Sequence, residues 1–523
     1  MPFQAYWIWG DEAKYLACAK TFPFNRMFNH SYYDFHPVFY PYMIRLFSLF
    51  FKDHIAAIAV SFFSSVILFF TAYRLFVFLS LRKRVIYIAL AYMAFNNILL
   101  YFAKIPFRYE LFSCLFLLSL YMYLKGITAL KLRYLILSAL FGGLTFMTSD
   151  MMPLVLLPIL LGAFFIFGFK LKDTLQVQLK KLSPIFLIIL IYISCVLLPK
   201  FIIYSTHTYY AGGMEGRIEK VSEFGLKQLI HPVYFSNAYA IWGKMQLSID
   251  LNPLHLKNKI FSIIALFKYD DAFYTWCIFI FITIPIFFML YRVLSVRNKS
   301  IFKDYKRDLY FFSVIAIIIY PVIYTGFLAR NSIAVVPFFA YFFAQGVDMF
   351  FSAGKIKNIA QTNWLTVFLI ISLILLVGMT FKKNRYFIFT LGRIEACDKV
   401  ASVLDRLPDD GIMSEGLIAD ALVYNSHKRI VVLPRTPDPT AAKEQIDLSI
   451  KAFDLHYIVL SEFWKIELAI LAYPATAYIM NSPDKFRLIK VLYENYNRGI
   501  PSNAMRQDDI FYIYEIIKEK DKK

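Results

Sequence analysis

From residue 54 onward the chain falls into long apolar runs separated by short polar stretches. A membrane-spanning helix needs about 20 mostly apolar residues. Runs that meet or approach this length are 54–80, 85–103, 111–125, 134–148, 151–169, 184–203, 272–291, 309–327, 332–352 and 364–381. The run at 134–148 is short and ends at Thr148-Ser149-Asp150. Residues 1–53 have a different pattern. Ala13 to Thr21 has helical composition, and 36–51 (HPVFYPYMIRLFSLFF) is aromatic and broken by prolines. Such a stretch suits a helix lying in the membrane plane with its apolar face down.

Beyond residue 381 the period changes. Residues 394–407 (IEACDKVASVLDRL) repeat apolar positions at helical spacing. Short apolar strands follow at 429–433, 456–460, 487–493 and 510–516, with a helical stretch at 441–453. Alternation of strand and helix predicts a small α/β domain. The expected fold class is therefore a polytopic α-helical membrane protein of about ten transmembrane helices, followed by a C-terminal α/β domain. The expected domains are 1–381 and 382–523, with 1–53 and 204–271 as long loops of the first.

Composition strengthens the membrane reading. Hydrophobic residues make up 59% of the 523, against about 45–50% for soluble domains. Phe and Tyr number 55 and 37, an aromatic load that suits helix contacts and membrane-edge belts. A net charge of +20 would draw a soluble protein toward nucleic acid. Here the cations sit in short loops, where they signal orientation instead. Loops 81–84, 125–133, 170–183, 291–308 and 353–363 carry 3, 3, 4, 6 and 2 Lys or Arg, 18 together; 104–110, 149–150 and 328–331 carry 2, 0 and 1, 3 together. The bias puts the first set in the cytoplasm. Residues 1–53, 204–271 and 382–523 are then expected outside.

Five cysteines are scattered singly, with no metal-ligand or redox spacing. Met1 to Phe22 holds no apolar run of the kind a cleavable signal peptide needs. Neither a G-x-x-x-x-G-K-[ST] nor a G-x-G-x-x-G motif is present, so nothing marks a nucleotide site.

Four features carry candidate chemistry. The first is Asp11-Glu12, in WGDEAKY, with Trp7 and Trp9 just before it. Its bland reading is a solvated turn that places an acid at a helix N-terminus. The second is His36-Pro37, which opens the aromatic stretch. Its bland reading is a helix start with Pro in the first turn. The third is Glu110 in KIPFRYE, with Lys104 and Arg108; it reads blandly as an ion pair or a helix-start acid. The fourth is Arg330-Asn331, an outer cation between apolar helices that runs against the loop-charge trend. Its bland reading is snorkelling to the surface. His207, His231 and His255 are spaced too widely to suggest a metal site.

Taken together, the WGDEAKY acids, the later His-Pro, the many spans, the late outer Arg and the α/β tail resemble the GT-C superfamily of membrane glycosyltransferases. The likeness is to the branch with protein O-mannosyltransferases and aminoarabinose or lipid A sugar transferases. It covers nearly the whole chain in architecture, and in residues it rests on Asp11, Glu12, Tyr15, His36, Pro37 and, more loosely, Arg330. The resemblance implies an extracytoplasmic active site in an integral membrane protein of bacterial or archaeal type. The donor would be a sugar on polyprenyl phosphate, and the acceptor a lipid, glycan or protein. No nucleic acid is implied. Some branches use a divalent metal and others do not, so no cofactor is fixed.

Phosphate is a good leaving group, so the reaction needs chiefly a base for the acceptor's proton and cations for the charge that develops on phosphate. A single displacement with one base inverts the anomeric centre. By resemblance Asp11 is the base, and Glu12 orients it or the acceptor. Arg330 is expected on the phosphate. Lys104, Arg108 and His36 are weaker candidates for that role, and Glu110 is a second polar contact. The family also has a membrane helix ahead of the acids, whereas only Met1 to Gly10 precede Asp11 here; a first helix missing from this sequence is the expectation. Two other readings compete. A transporter or flippase of lipid-linked glycans would show related halves and mid-membrane ionisable groups. A ligase using lipid-diphosphate chains would not need the early acids.

Overall fold

The computed structural model describes residues 15–16, 19–20, 39–94, 96, 99, 103, 108–148, 152–197, 209–211, 217–219, 302–325, 332–352, 395–409, 411–414, 419, 422, 425–433, 439–461, 469–495 and 508–518. The membrane portion contains α1 (Phe39–Phe47), α2 (Asp53–Phe78), α3 (Lys83–Ala94), α4 (Tyr109–Ala129), α5 (Leu132–Phe146), α6 (Met152–Ala163), α7 (Leu175–Tyr192), α8 (Phe302–Thr325) and α9 (Val336–Ser352). Wider π turns, Phe164–Gly168 and Ile193–Leu197, extend α6 and α7, and a 3-10 turn, Ser332–Val335, leads into α9. Among the described residues, Ile55–Phe78, Tyr109–Ala129 and Leu175–Cys195 are long and apolar enough to cross a membrane. The expected runs at 272–291 and 364–381 lie outside the described residues. Of the loop 204–271, the structure describes only β1 (Tyr209–Ala211) paired antiparallel with β2 (Arg217–Glu219).

Helix α4 is the spine of the bundle. Its residues are buried along almost the whole length, from Tyr109 to Ile127. It packs against α2, α5 and the 3-10 turn before α9. Lipid removes the hydrophobic incentive for helices to associate, so close packing and interhelical hydrogen bonds must hold the bundle. The α4–α5 hairpin shows both. Ser119 Oγ donates to the Ser138 carbonyl at 2.9 Å, and Ser138 Oγ donates to the Ser119 carbonyl at 2.9 Å. A Cβ on Gly126 would come within 2.5 Å of Leu135, and one on Gly142 within 2.4 Å of Ile188. The turn between the two helices is short, and Leu130 adopts the left-handed region there at φ 52°.

The start of α7 differs from the expected run at 184–203. The helix begins at Leu175, so Lys180 and Lys181 are helical residues. The reason lies in Lys181, which is buried and donates to the Gly168 carbonyl at 2.5 Å and to Asp173. The turn between α6 and α7 thus supplies partners for a cation that sequence alone assigns to a loop.

A latch ties one end of the bundle together. Arg307 donates to the Leu79 carbonyl at 3.3 Å and to the Tyr341 hydroxyl at 2.8 Å, while Tyr341 donates to the buried Asp308. Arg82 pairs with Asp348 at 3.3 Å. The residues that border loops 81–84, 291–308 and 353–363 therefore meet at one end, as alternating helices require.

The C-terminal part holds α10 (Glu395–Leu404), β3 (Gly411–Ser414), β4 (Arg429–Val432), α11 (Pro439–Phe453), β5 (Tyr457–Ser461), α12 (Ala469–Met480), β6 (Phe486–Asn495) and β7 (Asp508–Ile516). Its five-stranded sheet has the order β4-β3-β5-β7-β6. β3 runs parallel to β4 and β5, and β7 runs antiparallel to β5 and β6. One face packs Val400, Ala401, Leu404 and Leu422; the other packs Ala442, Ile446, Ala475 and Ile479. The strands and the helix expected from sequence in this part are present with small shifts at their ends. β3 and α12 are additional.

Candidate functional site

Elements of the N-terminal region converge where α2 and α4 begin and α5 ends. Tyr15 and Leu16 are buried, and the Tyr15 ring meets Tyr40 of α1 edge-on at 5.0 Å. The Tyr40 hydroxyl donates to the Ala57 carbonyl of α2 at 3.3 Å and lies 3.3 Å from Ser61 Oγ. The Phe39 amide donates to the Met147 carbonyl, just past α5, at 3.0 Å. Tyr15, Tyr40, Ile44, Ala56, Leu111 and Leu115 share one apolar cluster. Past α1 the face changes: Leu49 and Phe50 are 70% and 79% exposed. The expected in-plane aromatic helix is thus a short helix whose Tyr40 and Ile44 grip α2, followed by an exposed apolar tip.

The first turn of α4 carries the polar groups. Arg108 precedes it. Its side chain is buried, its Nη1 donates to the Thr148 carbonyl at 3.5 Å, and its guanidinium lies 5.8 Å from the centre of the Tyr109 ring. Glu110 is fully buried, and neither carboxyl oxygen has a hydrogen-bond partner among the described residues. Ser113, one turn further, is also buried with an unpartnered hydroxyl. Arg108 and Glu110 form no ion pair with each other, and Lys104, the other cation of KIPFRYE, lies outside the described residues. The helix-start position fits Glu110 in part, since an acid is favoured at a helix N-terminus. That effect does not explain full burial, because an unpartnered buried carboxylate costs free energy unless something else meets it.

Of the expected site residues, Tyr15, Arg108 and Glu110 belong to this region. Asp11, Glu12, His36, Pro37, Lys104 and Arg330 lie outside the described residues. The 3-10 turn that follows Arg330-Asn331 packs against α4, and its Ile333, Ala334 and Val335 are buried in the main core. Ser113 and the Tyr40–Ser61 contact were not singled out in the sequence. A serine three residues after an acid in an otherwise apolar helix was the one signal for the first. Among the described residues, no three His, Cys, Asp or Glu side chains come together as a metal site.

The comparisons with known proteins can now be set beside this geometry. Two solved structures align with the chain along most of its length. They are crystal structures of ArnT from Cupriavidus metallidurans, one in the apo state and one bound to undecaprenyl phosphate. Each is 12% identical, has a TM-score of 0.41, and aligns over 98% of this chain and 95% of the other. No protein-family model and no curated protein matches the chain.

Proposed function

We propose that the chain transfers a sugar from a polyprenyl-phosphate donor to an extracytoplasmic acceptor, with inversion at the anomeric carbon. The observation that carries the proposal is Glu110: a fully buried carboxyl group whose two oxygens have no partner among the described residues, in the first turn of a helix that a buried arginine precedes. A group kept in that state at a cost to stability is a group held for a ligand. Undecaprenyl phosphate, the lipid bound in one ArnT structure, exemplifies the carrier class proposed for the donor.

In this reading Asp11 takes the acceptor's proton and Glu12 orients it. Glu110 accepts hydrogen bonds from sugar hydroxyls, which satisfies its stranded oxygens. Arg330 holds the phosphate, since a planar guanidinium matches phosphate oxygens in pairs. Lys104, Arg108 and His36 add positive potential, and Tyr15 fixes the WGDEAKY segment against α1. Charge that grows on the leaving oxygens is thereby met by cations already in place. The long loop 204–271 and the tail 382–523 would shape the acceptor side, outside the membrane.

The test supplies membranes containing the protein with a radiolabelled polyprenyl-phosphate sugar and a crude envelope extract as acceptor. Transfer is expected from wild type and lost in Asp11→Asn and Glu110→Gln. Equal transfer by wild type and both variants would defeat the assignment of these residues.

A further inference from the structure

Among the described residues the C-terminal sheet has one exposed apolar margin, and its chemistry differs from the rest of the domain. β6 is an edge strand. Its cross-strand partners fix which way its side chains point. Leu488 pairs with Tyr514, Val491 with Tyr512 and Tyr493 with Ile510. Tyr514 and Tyr512 pack with Phe486, Ala475 and Ile479, so Leu488, Val491 and Tyr493 share the face covered by α12. The irregularity between Leu488 and Lys490 shifts the alternation by one residue, which is how 488, 491 and 493 come to share it. Leu488 is 48% exposed and Tyr493 is 72% exposed.

Helix α12 (AILAYPATAYIM) lies on this face and has no charged residue. A solvent-facing helix normally carries charge on its outer side. Its Tyr478 packs edge-on against Phe486 at 5.6 Å. Lys485 donates to the Tyr478 hydroxyl at 2.8 Å and pairs with Asp447 at 3.1 Å, Tyr478 donates to Asp447 at 3.1 Å, and Lys443 lies 6.0 Å from the centre of that ring. Two lysines therefore flank Tyr478 beside an apolar margin, Lys485 paired with Asp447 and Lys443 over the ring. Tyrosine with lysine nearby is the side-chain pairing that membrane–water boundaries favour, and lysine matches anionic headgroups.

The chain itself supplies the occupant. The last apolar run ends at 381 and α10 begins at Glu395. The 13 residues 382–394 reach at most about 45 Å when fully extended, so the domain cannot leave the neighbourhood of the bilayer. We infer that this margin of β6, with α12, rests on the phospholipid surface of the chain's own membrane and sets the tilt of the domain. The inference rests on the membrane reading alone and is independent of the transferase proposal.

The experiment places the photoreactive amino acid p-benzoylphenylalanine at position 488, 493 or 490 of the full chain. The protein is held as single copies in nanodiscs of phosphatidylethanolamine and phosphatidylglycerol. Lys490 is the control, because it is exposed and pairs with Ile513, which belongs to the opposite face. After irradiation, mass spectrometry should find phospholipid adducts for Leu488→p-benzoylphenylalanine and Tyr493→p-benzoylphenylalanine, and none at 490. Adducts to other peptides of the chain would mean that its own bundle covers the face. Adducts that appear only when two copies share a disc would mean a second copy does. No adducts at 488 and 493, or equal lipid adducts at all three positions, would overturn the inference as well.

Discussion

At the scale of single residues, Glu110 separates a structural role from a functional one. A carboxylate that held an ion pair would destabilise the fold when neutralised. This one has no hydrogen-bond partner among the described residues, so Glu110→Gln, which keeps its size and shape, breaks no contact there. The thermal midpoint of the purified protein should stay unchanged or rise, while transfer falls by about 10²-fold, the upper worth of hydrogen bonds from sugar hydroxyls to such an acceptor. A lower midpoint with transfer retained would return Glu110 to the bland reading. The acid was legible in KIPFRYE, but its state was not. Sequence shows Arg108 two positions before Glu110; only the fold shows the arginine reaching the Thr148 carbonyl. The WGDEAKY acids were legible in the opposite sense, as a motif whose surroundings the described residues approach only as near as Tyr15.

At the scale of elements, the latch between α8 and α9 and the close approach at β3 give separable outcomes. Tyr341→Phe removes the hydroxyl that links Arg307 to the buried Asp308. The loss should be about 0.5–1.5 kcal/mol, the net worth of a typical hydrogen bond, read as a lower midpoint of bundle unfolding in detergent. Gly411 opens β3, and a Cβ there would lie 2.3 Å from the Asp454 carbonyl oxygen. Gly411→Ala should therefore destabilise the sheet by about 1–3 kcal/mol. Limited proteolysis should show faster cleavage after residue 395, with the bundle fragments unaffected. The long apolar helices were legible because length alone announces them. The start of α7 was not, because Lys181 finds its partners in a preceding turn. β3 has four residues and opens on glycine, too little pattern to stand out. α12 carries Pro474 in its interior, and proline argues against a helix.

At the scale of the whole molecule, alternate loops must share a side, and the Arg307–Leu79 and Arg82–Asp348 contacts join three of the basic loops at one end. The cluster of Tyr15, Tyr40 and Leu111 gathers elements that precede the other ends of α2 and α4. Which end faces outward rests on the charge bias of the loops. Asp420→Cys, tested in intact cells with a membrane-impermeant maleimide, should label from the outside; protection there together with labelling after permeabilisation would reverse the orientation. The apolar runs at 54–80 and 111–125 were legible because polar punctuation between them is local. The meeting of the latch residues was not, because they stand more than 200 positions apart in the chain.

The α4–α5 hairpin has a bearing on how such a chain is made. Its two helices are joined by two residues, Leu130 and Lys131, and bond to each other through Ser119 and Ser138. Every one of those contacts is complete once residue 146 has been synthesised. The pair can enter the bilayer as one finished unit, with α2 already present on one side and α7 still to come on the other. Biogenesis can then proceed around a central post, so that the helix bearing Glu110 is set before the 3-10 turn after Arg330 closes against it.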